Sequence, residues 1–150
     1  MQKLCIFGQR IAMTKHEIVL MSITGEDKPG VTSSLTEILS KHNATILDIG
    51  QANIHQSLSL GILFRLDPVM QGNILKDLLF KSYELGVQAK FTPIEREDYD
   101  QWVSRQGKES YVITVLGQKI EANQLAHVTK VIAEQGLNID TIKRLTGRIP

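Results

Sequence analysis

The order of apolar runs and helical patterns in residues 18–94 restricts the possible folds of this chain severely. Residues 18–23 form an apolar, β-branched run that is typical of a buried strand. A helical pattern follows, with apolar residues at positions i, i+4, i+7 and i+8: Val31, Leu35, Ile38 and Leu39. Two further strand patterns, at 45–54 and 57–66, precede a second amphipathic helix and a last strand at 87–94. The predicted order is therefore β-α-β-β-α-β.

This order is the split β-α-β pattern of ferredoxin-like folds. We therefore predict an α+β domain in which a four-stranded antiparallel sheet carries two helices on one face. Turn residues support the predicted boundaries. His42-Asn43 ends the first helix, and Gly86 ends the second because glycine tolerates the left-handed conformation required there.

The first β-α-β part of this pattern occurs a second time in the chain. Residues 17–49 align without a gap with residues 110–142, at an offset of 93 positions. Apolar positions of the first copy meet apolar positions of the second, so we interpret the pair as a degenerate tandem duplication. The second copy predicts a strand at 111–116, a helix that ends at Gln135-Gly136, and a strand at 137–145. The apolar face of that helix comprises Leu125, Val128 and Ile132.

These patterns predict the domain organisation of the chain. In chain order the segments are an N-terminal extension at 1–15, a first module at 16–94, a linker at 95–108 and a partial second module at 109–150. The linker is charged, and we predict a solvated surface there rather than a cation site. A β-α-β half by itself leaves an unpaired strand edge and an uncovered apolar face. We therefore expect the chain either to belong to a longer protein or to pair with another copy.

Composition narrows the class of function. The net charge of +1, from 17 basic and 16 acidic residues, offers no electrostatic reason to expect nucleic acid or a membrane surface as a partner. Cys5 is the single cysteine, so no internal disulfide can form, and we predict a cytoplasmic protein. The four histidines lack metal-ligand spacing, and no phosphate-loop or nucleophile motif occurs. We predict no catalytic residue and no metal ligand.

Residues 24–31, between the first strand and the first helix, are the strongest candidate for a binding site. Pro29 suits the first turn of a helix, and Gly30 leaves the backbone open to close approach. Free N–H groups at the start of the helix would attract a carboxylate or phosphate, and Asp27 would meet an ammonium group. A small zwitterionic amino acid needs both partners. Alternatively, Asp27 simply caps the helix and Pro29-Gly30 shapes a tight connection.

The sequence Asp27-x-Pro29-Gly30-Val31, followed by a helix and by residues 44–49, resembles an ACT domain. ACT domains are regulatory modules of amino-acid metabolism with the β-α-β-β-α-β fold. The resemblance covers 16–94 in full and 109–146 as the front half of a second module. In this family amino acids commonly bind where two modules meet, against the loop after the first strand and the start of the second strand. The resemblance therefore implies a ligand site at Gly25, Asp27, Pro29, Gly30, Val31, Thr45 and Asn138.

Residues 47–51 and 55–63 are similar to the N-terminal ACT region of bacterial phosphoserine phosphatases. In that architecture two ACT modules precede a haloacid-dehalogenase-type catalytic domain, which uses a D-x-D-x-T motif and Mg²⁺. This chain contains no such motif. The resemblance implies a regulatory region that senses L-serine or another small amino acid and forms a homodimer. It assigns Mg²⁺ to the catalytic domain, and no cofactor to this chain.

The sequence leaves two alternatives open. A stand-alone tandem-ACT regulator, similar to the glycine-cleavage repressor proteins, would also explain a duplication without a catalytic motif. A purely structural dimerisation module would associate through strand edges or helices without any ligand. The chain also departs from the family pattern, which often has asparagine at the start of the second strand. Thr45 occupies that position in the first copy and Asn138 in the second, so which copy binds a ligand stays undecided.

Overall fold

A computed structural model of the protein describes residues 17–67, 71–107 and 109–145. The chain divides into two compact units, Met1–Lys108 and Glu109–Pro150. The elements of the first unit are β1 (Glu17–Glu26), α1 (Val31–Lys41), β2 (Thr45–Ile54), β3 (Ser57–Leu66), α2 (Gln71–Leu85), β4 (Gln88–Ile94) and α3 (Arg96–Ser104). The predicted ferredoxin-like order β-α-β-β-α-β is confirmed.

The four strands form one antiparallel sheet in the order β2-β3-β1-β4. β1 pairs with β3 over the whole length of both strands. Because β3 runs antiparallel to both of its neighbours, β1 and β2 point in the same direction. The loop after β1 and the turn between β2 and β3 therefore lie at the same end of the sheet. The backbone N–H of Asp27 donates to the carbonyl oxygen of Gln56 at 2.8 Å and connects the two.

Both α1 and α2 cover one face of the sheet. Alternate residues of a strand point to the same face, so β1 and β3 each present an apolar stripe to the helices. The predicted apolar face of α1 supplies Val31, Leu35 and Leu39 to this core. The buried core residues are Val19, Met21, Ile23, Val31, Leu35, Leu39, Leu58, Leu60, Ile62, Phe64, Leu66, Ile74, Leu78 and Val87.

The helices of the first unit end at the predicted turn residues. His42 is the C-cap of α1, and Asn43 follows it with φ 53°. Gly86 follows α2 with φ 69°, a conformation that glycine adopts without steric cost. His42 Nε2 also lies 2.8 Å from Asp77 Oδ2, which ties the end of α1 to α2.

The start of α1 differs from the prediction that Pro29 occupies its first turn. The helix begins at Val31, and Gly30 is the N-cap with φ 92°. A residue with positive φ cannot belong to a right-handed helix, so the helix starts only after Gly30. Pro29 therefore lies in the turn that precedes the helix.

The predicted linker contains a helix, α3. Glu97 and Asp98 lie in its first turn, where negative charge interacts favourably with the helix dipole. The rings of Tyr99 and Trp102 lie 5.9 Å apart on the helix surface. No residue of α3 is buried, so local charge and side-chain pairing favour this helix rather than core packing.

The second unit contains the predicted helix, α4 (Ala122–Glu134), which ends at Gln135 and Gly136. The predicted strands at 111–116 and 137–145 are not formed, and residues 109–145 contain no strand. The strand order of the first unit explains this difference. There β1 and β2 are not neighbours, because β3 lies between them and pairs with both. Without a third strand between them, the two segments have no partner for ladder hydrogen bonds.

Candidate functional site

The loop between β1 and α1 lies at the end of the sheet that also carries the β2-β3 turn. Residues 26–30 are exposed, whereas Val31 is buried in the core. The structure therefore offers an open, polar surface at the start of α1. The predicted binding residues found in or beside this loop are Gly25, Asp27, Pro29, Gly30 and Val31.

The N-terminus of α1 has no side-chain cap. The first helical hydrogen bond runs from the N–H of Ser34 to the carbonyl of Gly30 at 3.0 Å, and the N–H of Val31 reaches the Lys28 carbonyl only at 3.5 Å. Asp27 is thus not a helix cap, whereas Pro29 and Gly30 do form a tight turn before α1. The N–H groups of the first turn carry the positive end of the helix dipole, and such groups favour a carboxylate or another anion.

Asp27 contacts β2 instead of α1. Its Oδ2 accepts a hydrogen bond from Asn53 Nδ2 near the end of β2. The chain of contacts continues, because Gln51 Nε2 donates to Asn53 Oδ1 at 3.4 Å and Thr32 Oγ1 donates to Gln51 Oε1 at 2.8 Å. This polar chain joins the loop, the end of β2 and the first turn of α1. It places acid, amide and hydroxyl groups beside the uncapped helix start.

The sequence patterns did not indicate Gln51 and Asn53 as site residues. The family resemblance implied Thr45 instead, which lies at the opposite end of β2 and pairs with Arg65 of β3. Thr45 and Ile54 are nine residues apart along the strand, which corresponds to about 30 Å. The β-α-β connection makes β2 parallel to β1, so the end of β2 rather than its start reaches the loop. This rule for β-α-β connections could have indicated Gln51 and Asn53 from the sequence, because both residues lie near the end of β2.

Gly25, near the end of β1, and Gly30, in the loop after β1, have different surroundings. A Cβ atom at Gly25 would lie 2.9 Å from Val87 Cγ1 and 3.2 Å from Val87 Cα. Gly25 therefore allows close packing of β1 against the start of β4. A Cβ atom at Gly30 would meet only Ser33 Oγ, at 3.9 Å, so the space beside Gly30 is open. Of the two, Gly30 is the one that leaves room for a ligand.

Asn138 belongs to the second unit, where its side chain is exposed. Its Nδ2 lies 3.5 Å from Asp140 Oδ1. The local surroundings of Asn138 thus contain an acid and an amide. They lack the Pro29-Gly30 turn and the uncapped helix start that lie beside Asp27, since α4 begins with a capping box made by Glu121 and Gln124.

Ionised pairs occur on the helix surfaces of the first unit. The hydrogen bond from Lys41 lowers the pKa of the Glu37 carboxyl, and the hydrogen bond to Glu84 raises the pKa of Lys81. Over residues 17–67, 71–107 and 109–145 no group of three histidine, cysteine or acidic side chains is placed to hold a metal ion. None of the helices in these ranges is long and apolar enough to cross a membrane.

Comparisons with known proteins identify relatives over most of the chain. Phosphoserine phosphatase SerB2 of Mycobacterium tuberculosis is 37% identical over 131 residues, which are 85% of this chain and 31% of SerB2. The phosphoserine phosphatase of Streptomyces coelicolor is 27% identical over 128 residues, 85% of this chain and 30% of that protein. The chain thus spans about a third of the length of these curated relatives.

Solved structures share the fold. A candidate glycine cleavage system transcriptional repressor superposes with a TM-score of 0.52 and 14% identity, over 55% of this chain and 48% of that one. A protein of unknown function from Galdieria sulphuraria superposes with a TM-score of 0.57 and 14% identity, over 81% and 66%. Models of ACT domains match residues 17–92 and 109–148. Since the first match alone covers half of the chain, the protein belongs to the ACT domain family.

Proposed function

We propose that the chain is the amino-acid-sensing and dimerisation region of a cytoplasmic phosphoserine phosphatase, which hydrolyses O-phosphoserine to L-serine in serine biosynthesis. The observation that carries this proposal is the 37% identity to SerB2 over 85% of the chain. On this proposal the reaction and its Mg²⁺ belong to a catalytic domain, and the residues described here bind the regulator. The likeness to a candidate repressor, at 14% identity, supports the fold alone and does not favour the stand-alone regulator.

The proposed ligand is L-serine or another small amino acid, held at the loop between β1 and α1. Its carboxylate would accept hydrogen bonds from the first-turn N–H groups of α1, beside the open space at Gly30. Its ammonium group would donate to the exposed carboxylate of Asp27, which Asn53 holds in place. The amide of Gln51 both donates and accepts hydrogen bonds, which suits the hydroxyl of serine.

Regulation would act through differential binding. Hydrogen bonds at this site link α1 and the loop before it to β2. A ligand bound there would stabilise the conformation in which these hydrogen bonds are formed. A ligand can shift an equilibrium only as far as its affinity differs between the two states. The proposal therefore requires that serine bind one arrangement of paired chains more tightly than the other.

Calorimetric titration of the chain with L-serine tests this proposal, with glycine and phosphoserine as controls. Glycine lacks the hydroxyl group and phosphoserine carries an added dianion, so both report on selectivity for serine. We expect saturable binding that is strongest for L-serine. Absence of binding by all three compounds would contradict amino-acid sensing at this site and favour the purely structural module.

A further inference from the structure

The two helices of the first unit, α1 and α2, occupy equivalent positions over the same face of the sheet. Leu35 of α1 and Leu78 of α2, which are 43 positions apart in the sequence, are both buried core residues. Asn43 and Gly86, at the same separation, follow the two helices with left-handed φ values of 53° and 69°. The helices therefore present matching faces to the core and can be compared residue by residue.

Thr32 of α1 and Leu75 of α2 correspond to each other in this comparison. Leu75 is partly buried and packs against the hydrophobic core. Thr32 instead donates a hydrogen bond from its Oγ1 to Gln51 Oε1 of β2, at 2.8 Å. Since an apolar residue fills this position in α2, the fold itself does not require a hydroxyl group there. The polar contact of Thr32 therefore points to a role other than core packing.

The hydrogen bonds between Thr32 and Asp27 all run in one direction. An ionised carboxylate can only accept hydrogen bonds, so Asn53 presents its Nδ2 group to Asp27 Oδ2. Asn53 Oδ1 consequently faces Gln51 and accepts a hydrogen bond from Gln51 Nε2 at 3.4 Å. The charge of Asp27 thus fixes the orientation of both side-chain amides.

The orientation of Gln51 in turn determines what Thr32 can offer to a ligand. Gln51 turns its carbonyl oxygen toward Thr32, and a carbonyl oxygen can only accept. The hydroxyl group of Thr32 must therefore donate its single hydrogen to Gln51. Toward any further group Thr32 Oγ1 offers only lone pairs, so it is an acceptor in the first turn of α1.

We infer that Thr32 is the specificity-determining residue of the site and requires a hydrogen-bond donor on the side chain of the ligand. This inference rests on the proposed function, in which an amino acid lies between Asp27 and the first turn of α1. Both ends of the polar chain offer acceptors. Asp27 accepts from the ammonium group of the ligand, and Thr32 Oγ1 accepts from its side chain. The ligand class is an L-amino acid with a short, donating side chain.

This requirement separates L-serine from O-phosphoserine. The hydroxyl group of serine can donate to Thr32, whereas a phosphate dianion has no hydrogen to donate and is repelled by the charge of Asp27. Glycine has no side-chain donor at all. A site built in this way responds to the product of the proposed reaction and not to its phosphorylated substrate.

NMR spectra of the ¹⁵N-labelled chain without ligand test the direction of the hydrogen bonds. Asp27→Asn removes the charge, so the side-chain amide signals of both Asn53 and Gln51 should shift. When Asn53→Ala is already present, Asp27→Asn should leave the Gln51 signals in place, because the connection is broken. Asp48→Asn is the matched control on the same strand, since Asp48 bonds to the N–H of Ile49. Gln51 signals that respond equally to Asp48→Asn, or that ignore Asp27→Asn, would overturn the inference.

Calorimetric titration with L-serine and O-methyl-L-serine tests the selection itself. The methyl ether keeps the side-chain oxygen but has no hydrogen to donate. We expect the parent chain to bind it about 3- to 10-fold more weakly than L-serine, the effect of one neutral hydrogen bond. Thr32→Val should bind both compounds equally, and Thr32→Ser should keep the preference for serine. Thr36→Val is the matched control and should also keep it, because the Thr36 hydroxyl donates to the backbone carbonyl of Thr32 at 2.9 Å.

The outcomes distinguish this inference from the proposed function. A Thr32→Val chain that binds L-serine and still prefers it to the methyl ether overturns the role of Thr32 and leaves amino-acid sensing intact. Absence of binding by both compounds in the parent chain overturns amino-acid sensing, and selection by Thr32 with it. Loss of the preference in Thr32→Val alone supports both.

Discussion

The side-chain amide of Asn53, near the end of β2, donates a hydrogen bond to the carboxylate of Asp27 in the loop after β1. This contact joins two segments that are 26 residues apart in the chain. It orients the acid beside the uncapped start of α1 while leaving it exposed to solvent. The candidate site thus combines a fixed negative charge with a helix end that favours an anion.

Asp27→Asn is expected to weaken L-serine binding by about 10- to 100-fold. The substitution keeps the size of the side chain but removes the charge that would accept the ammonium group, and hydrogen bonds to charged groups contribute about 1.5–3 kcal/mol. Calorimetric titration measures the change. Asp98→Asn, which removes an acid of α3, is the control and should bind serine like the parent chain. If the parent chain, Asp27→Asn and Asp98→Asn all bound serine with the same affinity, Asp27 would be excluded from the site.

Gly30→Val is expected to lower the free energy of unfolding by about 1–2 kcal/mol, because φ is 92° and a left-handed conformation disfavours a Cβ atom. The added side chain should also abolish amino-acid binding by blocking the approach to the first turn of α1. Gly30→Asn should be less destabilised, since asparagine tolerates this region. Denaturant unfolding and titration together separate the two effects. A Gly30→Val chain that is less stable but binds serine normally would rule out an anion site at α1.

Gly25→Ala is expected to lower the free energy of unfolding by about 1–3 kcal/mol, the usual range for overpacking. The new methyl group would lie 2.9 Å from Val87 Cγ1 and 3.2 Å from the Val87 backbone. Gly72→Ala in α2 is the matched control, because its Cβ would meet no atom within 4 Å. That change should stabilise the helix by about 0.5–1 kcal/mol. Denaturant titration measures the free energy of unfolding of both variants. If both substitutions changed it in the same direction, the result would contradict the close packing at Gly25.

Glu37→Gln is expected to produce a small, pH-dependent loss of thermal stability. Lys41 Nζ lies 2.9 Å from Glu37 Oε1, and its hydrogen bond lowers the pKa of the Glu37 carboxyl below the usual 4.5. A carboxyl with a lowered pKa in the folded state stabilises the fold above its unfolded pKa, and this contribution disappears as pH falls through the folded pKa. The difference in Tm between parent and variant should therefore be present at neutral pH and absent well below 4.5. Because the Glu37–Lys41 pair is exposed, added salt should also reduce the difference in Tm. A difference in Tm that does not change with pH would contradict a stabilising role of this ion pair.

The elements of the first unit were accessible from sequence because their evidence is local. β2 and β3 occupy the predicted residues 45–54 and 57–66, and the apolar spacing of α1 matches its buried face. Residue types with strong conformational preferences also marked the helix ends, as at Asn43 and Gly86. Hydrophobic periodicity and turn chemistry involve neighbours along the chain, so they can be interpreted without knowing the fold.

The candidate site was only partly accessible from sequence. The loop with Asp27 and Gly30 could be selected as a candidate from sequence, because its residue types suit a helix start that binds an anion. The partners from β2 were not, since the choice between Thr45 and Asn53 depends on the direction of β2 relative to β1. Gly25 is a second example of a role that the sequence does not show. Its packing role follows only from the short distance between an added Cβ atom and Val87.

The sequence by itself determined the order of the strands and helices from 17 to 94, the bounds of β2 and β3, the apolar face of α1, and the position of α4 in the second unit. Only the tertiary structure decided that Asn53 meets Asp27 and that 111–116 and 137–145 do not form strands. The physical reason is the same in both cases. A helix closes its hydrogen bonds within its own segment, whereas a strand requires a partner that another part of the fold must supply.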